Sequence, residues 1–217
     1  MIVTIDGPAG AGKSSVSRSL AQRIGFQYLD TGAMYRALTW YVQQQQVDLM
    51  DQTVVANLAN RLEMRFDAGR VWANGKDVSQ EIRGALVTES VSEIADNPAV
   101  RQIMVSLQRE IAELGNYVCE GRDQGTVAFP DAECKIFLTA SPSERARRRY
   151  LQLLENGKSA DLNQILASQT ARDHRDETRS VGKLAKASDA IEVLTDGKPF
   201  EEVLDELVAI VKARLAR

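Results

Sequence analysis

One histidine and two cysteines in 217 residues leave this sequence little of the usual equipment for metal or nucleophilic chemistry. His174 by itself cannot build a histidine metal centre or a Ser-His-Asp triad. Cys119 and Cys134 fall in apolar, strand-like segments without metal-ligand spacing, so both are expected as buried free thiols. No apolar run reaches the roughly 20 residues that a membrane span needs. The N-terminus enters a strand without a charged leader or cleavage site, so a cytoplasmic protein with no membrane partner is expected. An N-K-x-D guanine motif is missing, which argues against a GTP-dependent switch. Internal repeats, linkers and low-complexity tracts are also absent.

Net charge is small and unevenly spread. The net charge is −3, yet residues 144–186 carry ten Lys/Arg against six Asp/Glu, a local balance of +4 that leaves −7 for the remainder. A basic segment in an acidic chain suits a small anionic ligand better than a nucleic acid, which would more often select a basic total and aromatic residues among the cations.

What the chain does contain is concentrated near its start. Gly7-Pro8-Ala9-Gly10-Ala11-Gly12-Lys13-Ser14 follows the apolar run Ile2-Val3-Thr4-Ile5 and completes a G-x-x-x-x-G-K-[ST] pattern between strand and helix. Glycines let such a loop turn its N–H groups inward around a polyphosphate, and the next helix aims its partially positive end at the same anion. Lys13 is expected at the β and γ phosphates and the Ser14 hydroxyl on Mg²⁺, with Ser15 completing the ATP-binding stretch.

The chain then alternates between helix and strand. Val16, Leu20 and Ile24 mark a helix ending near Gly25, and Phe26–Leu29 reads as a second strand. Asp30-Thr31-Gly32-Ala33-Met34-Tyr35-Arg36 opens the next helix, with Thr31 as its expected cap. Helices are expected to about Gln46 and over 51–62, followed by an antiparallel insertion over 63–84 around the Asn74-Gly75 turn. Past Pro98, the residues Val100, Ile103, Leu107, Ile111 and Leu114 suggest an inward helix face, which places Arg101, Gln102, Gln108 and Arg109 off it, toward solvent. Tyr117–Cys119 reads as a third strand, ending at Glu120-Gly121-Arg122-Asp123-Gln124-Gly125-Thr126, where Glu120 is positioned to help organise Mg²⁺. Lys135–Thr139 and Ala190–Val193 supply two more strands, and 199–215 a closing helix. Arg145, Arg147, Arg148 and Arg149 on one helix, and Arg172, Arg175 and Arg179 on another, suggest an arginine lid; Arg172, Asp176 and Arg179 recur at spacing that shares one helix face.

Five short buried strands separated by helices imply an α/β fold with a parallel sheet covered on both faces. A polyphosphate loop, two arginines at strand ends and an arginine lid point to phosphoryl transfer between nucleotides, because guanidinium forks bind phosphate oxygens in pairs. The scarcity of general bases fits this reaction. A monophosphate, with a second pKa of about 6, is already mostly dianionic at neutral pH and needs no proton removed.

These residues resemble the bacterial-type cytidylate kinases, P-loop nucleoside monophosphate kinases, along essentially the whole chain. The resemblance rests on Ile5–Lys13, Asp30–Arg36, Ser79–Arg83, Glu120–Thr126 with Phe129–Ala132, and Arg172–Arg179. It implies a five-stranded parallel P-loop kinase core, order 2-3-1-4-5, over 1–35, 115–143 and 187–217, a nucleotide-monophosphate region over 36–114, and a lid over 144–186. The implied reaction transfers the γ-phosphoryl group of ATP to CMP or dCMP, with Mg²⁺, in a monomer. Carried over by position, Arg36 and Arg122 look like ligands of the CMP phosphate, while Ser92, Arg101 and Asp123 look like readers of the cytosine edge. Arg172, Asp176 and Arg179 resemble a lid set directed to ribose and phosphate, and Thr31 and Tyr35 join the substrate set. Lys13, Arg122, Arg172 and Arg179 are the expected catalytic residues. Two departures fall in the lid: Ala171, where the family often has Glu, and Gly182-Lys183-Leu184, where a proline is common. The rival is a kinase for another small acceptor, such as UMP, AMP, shikimate or dephospho-CoA, against which the β insertion and Asp123 argue.

Overall fold

A computed structural model describes residues 1–67 and 69–216. The chain divides into two compact units, Met1–Tyr28 with Gly115–Arg217, and Leu29–Leu114.

A five-stranded sheet, all but the end of its second strand in the first unit, is made of β1 (Ile2–Asp6), β2 (Gln27–Asp30), β6 (Tyr117–Gly121), β7 (Cys134–Thr139) and β8 (Ile191–Leu194). Their order is β2-β6-β1-β7-β8. Three insertion strands occupy the intervening labels, so the sheet's own strands, counted along the chain, run 2-3-1-4-5. β1 is central and pairs in parallel with β6 and β7, in register Asp6↔Gly121 and Asp6↔Phe137. Parallel strands need both faces covered, and α1 (Lys13–Ile24) and α8 (Phe200–Leu215) supply part of that cover. Val16 and Leu20 of α1 and Leu204, Leu207 and Val211 of α8 join Val3, Ile5, Ile136 and Leu138 in one core. Each such side chain contributes about 1.5–3 kcal/mol by leaving water. Gly25 closes α1 in the left-handed region at φ 74°, as expected of a residue without Cβ. Cys119 and Cys134 are free and buried, and burial pushes both thiols up, Cys134 to about 11, which disfavours the thiolate.

α6 (Pro142–Glu155) and α7 (Leu162–Thr178) pack against each other in the same unit. Ser141 and Asp161 cap them, each accepting from a first-turn N–H.

The second unit holds α2 (Thr31–Gln44), α3 (Gln52–Arg61), the small antiparallel sheet β3 (Met64–Asp67), β4 (Arg70–Ala73) and β5 (Lys76–Asp77), then α4 (Ala85–Asp96) and α5 (Pro98–Ala112). The β4–β5 turn is Asn74-Gly75 with both φ values positive, 49° and 80°, the signature of a type I′ hairpin. Two local expectations fail here. Thr31 is the first helical residue, and Asp30 is the cap, its carboxylate accepting from Ala33 N–H at 2.8 Å. On α5 the buried face runs through Val100, Arg101, Met104, Gln108 and Ala112, whereas Leu114 is 77% exposed. The face is therefore partly polar, and scoring only apolar residues rotated it away from Arg101 and Gln108.

Candidate functional site

In the first unit the loop Gly7–Gly12 joins β1 to α1. Gly7, Gly10 and Gly12 take φ values of 151°, 81° and 90°. Glycine is dictated twice at Gly7, since a Cβ there would lie 1.9 Å from the Leu138 carbonyl oxygen on β7. Gly12, capping α1, offers no side-chain acceptor to the orphan N–H groups of the first turn. That arrangement fits a polyphosphate, whose oxygens would supply the missing acceptors.

Lys13 is buried, and its Nζ donates to the Pro8 carbonyl at 2.8 Å. Burial pulls the ammonium down to about 7; Arg122 adds to the fall, and Glu120 and Asp6 oppose it. An incoming polyphosphate would favour the charged form. Ser14 and Ser15 lie exposed on the first turn of α1. The Ser14 hydroxyl and the Glu120 carboxylate, buried at the end of β6, offer the hard oxygen donors that Mg²⁺ takes in small number. Glu120 is oriented by Tyr28, whose hydroxyl donates to it at 2.8 Å.

Past Glu120 the chain turns through Arg122 and Asp123 into a π-helical turn, Gln124–Ala128. The Nε of Arg122 donates to Asp176 of α7 at 2.9 Å, and Arg179 donates to the other oxygen of the same carboxylate at 2.6 Å. Burial alone would raise the Asp176 carboxyl, but Arg122 and Arg179 outweigh it and hold it below the ordinary carboxylate value. Arg172 adds to the same field. The expected trio thus meets Arg122, although Arg179 lies just past the end of α7, with extended ψ 148°, and not on its helical face.

The other arginine cluster behaves differently. Arg145 is buried and spans the Ala9 carbonyl of the phosphate loop at 3.0 Å, the Ala140 carbonyl at 3.0 Å and the Asp173 carboxylate of α7. Arg148 donates to Thr195 through both terminal nitrogens, at 2.9 and 2.7 Å, and Arg147 pairs with Glu144. Sequence pattern had grouped these as lid arginines and passed over Asp173. Asp6 was missed as well. It is buried at the end of β1 and accepts from the N–H groups of Gln124 at 2.8 Å and Gly125 at 2.7 Å. Burial raises its carboxyl to about 6 against the pull of those two hydrogen bonds. A carboxylate at the last position of a buried strand is the signal that marks it.

In the second unit, Thr31 and Tyr35 are buried on α2, and Ser92 is buried on α4. Arg101 of α5 is 3% exposed, donates to the Ala95 carbonyl at 3.0 Å and lies over the Tyr35 ring at 5.4 Å from its centroid. Arg36 donates to the Thr88 hydroxyl at 2.9 Å. A buried guanidinium held on an aromatic face is not a solvated charge. No helix among the described residues is long and apolar enough to cross a membrane.

The fold recurs in TT1252 from Thermus thermophilus (TM-score 0.52, 17% identity, covering 99% of this chain and 97% of that one). An uncharacterized protein from Eubacterium ventriosum gives TM-score 0.53 at 12% identity, covering 100% and 99%. Among curated proteins, a cytidylate kinase of Rhodopirellula baltica is 50% identical over 98% of this chain and 93% of its own length. A bifunctional pantoate ligase/cytidylate kinase of Synechococcus elongatus is 48% identical over 98% of this chain, which spans 42% of that longer protein. The model of the cytidylate kinase family matches residues 3–213, and the chain belongs to that family.

Proposed function

We propose that the protein transfers the γ-phosphoryl group of ATP to CMP and dCMP, giving ADP and the corresponding diphosphate. Support comes from the family match over residues 3–213 together with one arrangement in the structure, the joining of Arg122 to Asp176 and Arg179 in the unit that carries the phosphate loop. The N–H groups of Gly7–Gly12 hold the ATP phosphates, and Lys13 places its charge on them. Ser14 and Glu120 would hold Mg²⁺, which supplies neutralisation of the phosphate oxygens.

The acceptor phosphate is bound by Arg36 and Arg122. Ser92, Arg101 and Asp123 read the cytosine edge, where an N4 amino donor sits beside N3 and O2 acceptors; Asp123 accepts, and Arg101 and Ser92 donate. Asp176 and Arg172 take the ribose hydroxyl, with Arg172 and Arg179 also balancing charge on the transferring group; Thr31 and Tyr35 belong to the acceptor-binding set. No side chain needs to act as general base toward a dianionic acceptor, so catalysis consists of positioning and charge neutralisation. The reaction belongs to the cytoplasm, on small molecules.

Steady-state assays with ATP against CMP, dCMP, UMP and AMP test this. CMP and dCMP are expected to lead, and a preference for AMP overturns the reading. Arg122→Ala should chiefly lower use of every acceptor, whereas Asp123→Ala should narrow the gap between CMP and UMP. Unchanged CMP kinetics in both variants would remove the acceptor assignment.

A further inference from the structure

The turn that carries Arg122 and Asp123 has a capping problem. It begins a π-helical turn in which Val127 and Ala128 donate to the Asp123 carbonyl and Phe129 to that of Gln124. The N–H groups at the start of such a turn have no partner within it. Asp123 occupies the cap position, yet its side chain makes no capping hydrogen bond.

The cap comes from elsewhere in the chain. Asp6 lies 118 and 119 residues before the two donors, and each of its carboxylate oxygens accepts one N–H, Oδ1 from Gln124 and Oδ2 from Gly125. Parallel pairing of β1 with β6 puts Asp6 in register with Gly121, one residue before Arg122, so the sheet itself brings cap and turn together. The seat is close. A Cβ on Gly125 would stand 3.0 Å from Thr4 Oγ1, 3.3 Å from Lys135 Cδ and 3.4 Å from Asp6 Oδ2. The Asp6 carboxylate is buried, so water cannot substitute for it.

We infer that Asp6 is a specificity-determining positioning residue: by capping the Gln124–Ala128 turn from β1, it fixes the orientation of Asp123 and thereby the choice of nucleobase. The inference rests on the reading of Asp123 as a cytosine contact. Asp6 touches no substrate in this scheme and acts through the turn.

The test is Asp6→Asn in the full chain. The amide keeps one acceptor and sets its NH₂ donor against an N–H donor. Amide exchange at Gln124 and Gly125 should accelerate selectively. The ratio of kcat/KM for CMP over UMP should fall by about fivefold to tenfold, the size of one lost capping interaction, with the KM for ATP held within about twofold. Gly125→Ala, outside the left-handed region and disturbing only the seat, should shift the same ratio in the same direction and keeps the test available if Asp6→Asn does not fold. Unaltered base selectivity in both variants overturns the inference, as does a rise in the ATP KM equal to that for CMP, which would place the action of Asp6 in the phosphate loop. Asp123→Ala in parallel separates the two claims. If it leaves base selectivity intact, the reading of Asp123 fails; if it alone alters selectivity, only the role of Asp6 fails.

Discussion

Replacing Asp176 by Asn should cost far more stability than a surface ion pair, because one carboxylate serves two guanidiniums at little exposure. The side chains of Asp176 and Arg179 are 5% and 7% exposed, and that of Arg122 is 20% exposed. Breaking a buried pair from one side costs about 3–5 kcal/mol, since the partner charge is left behind. Here two charges of like sign are left together. Arg122 reaches some solvent and Asn retains one acceptor, so the lower end applies, about 3 kcal/mol. With about 2.1 cal/mol/K of unfolding entropy per residue, a chain of 217 residues loses about 7 °C of Tm for that amount.

Urea denaturation of wild type, Asp176→Asn, Arg122→Ala and the double variant isolates the pair. A coupling energy of about 1.5–3 kcal/mol is expected, the range for a hydrogen bond between charged groups. The pH dependence has a definite sign. The arginines hold the Asp176 carboxyl below its unfolded value of 3.8, so its contribution is complete above that value and is lost as pH falls through the depressed one. The gap between wild type and Asp176→Asn should stay constant from neutral pH to about pH 5 and close in stronger acid. A loss under about 1 kcal/mol, a coupling near zero, or a gap that closes already near neutrality would refute the argument.

Two further perturbations test the phosphate loop. Burial draws Lys13 down to about 7 and an incoming polyphosphate favours its charged form, so ATP binding should take up a fraction of a proton that is missing in Lys13→Met. Calorimetry in buffers of different ionisation enthalpy measures it, and equal uptake in both proteins would contradict the assigned state. Gly7→Ala must move either the loop or β7, because the methyl would enter the Leu138 carbonyl, whereas Gly25→Ala meets nothing within 4 Å and bears only the strain of φ 74°. Urea midpoints should show about 1–2 kcal/mol lost at Gly25 and clearly more at Gly7, and equal losses would remove the steric claim.

What could be read without coordinates was local or periodic. The phosphate loop, the Asn74-Gly75 hairpin, the Pro98 helix start and the five sheet strands each depend on residues within one turn or one strand of each other. The failures share a different cause. Arg101 and Gln108 are buried because neighbouring elements give polar groups a place on α5, and an apolar period assigns them to water. Arg145 looked like one cation in a run, but its partners are a carbonyl at Ala9 and a carboxylate at Asp173, brought to it by folding. Asp6 is the sharpest case. A strand-end carboxylate has no sequence neighbour that needs it, and the parallel register with β6 brings the N–H groups of Gln124 and Gly125 within its reach. Buried backbone donors must be satisfied wherever they occur. A polar residue recruited across the sheet to satisfy them therefore leaves no periodic trace, and the residues that hold a binding loop in place are harder to read than those that touch the ligand.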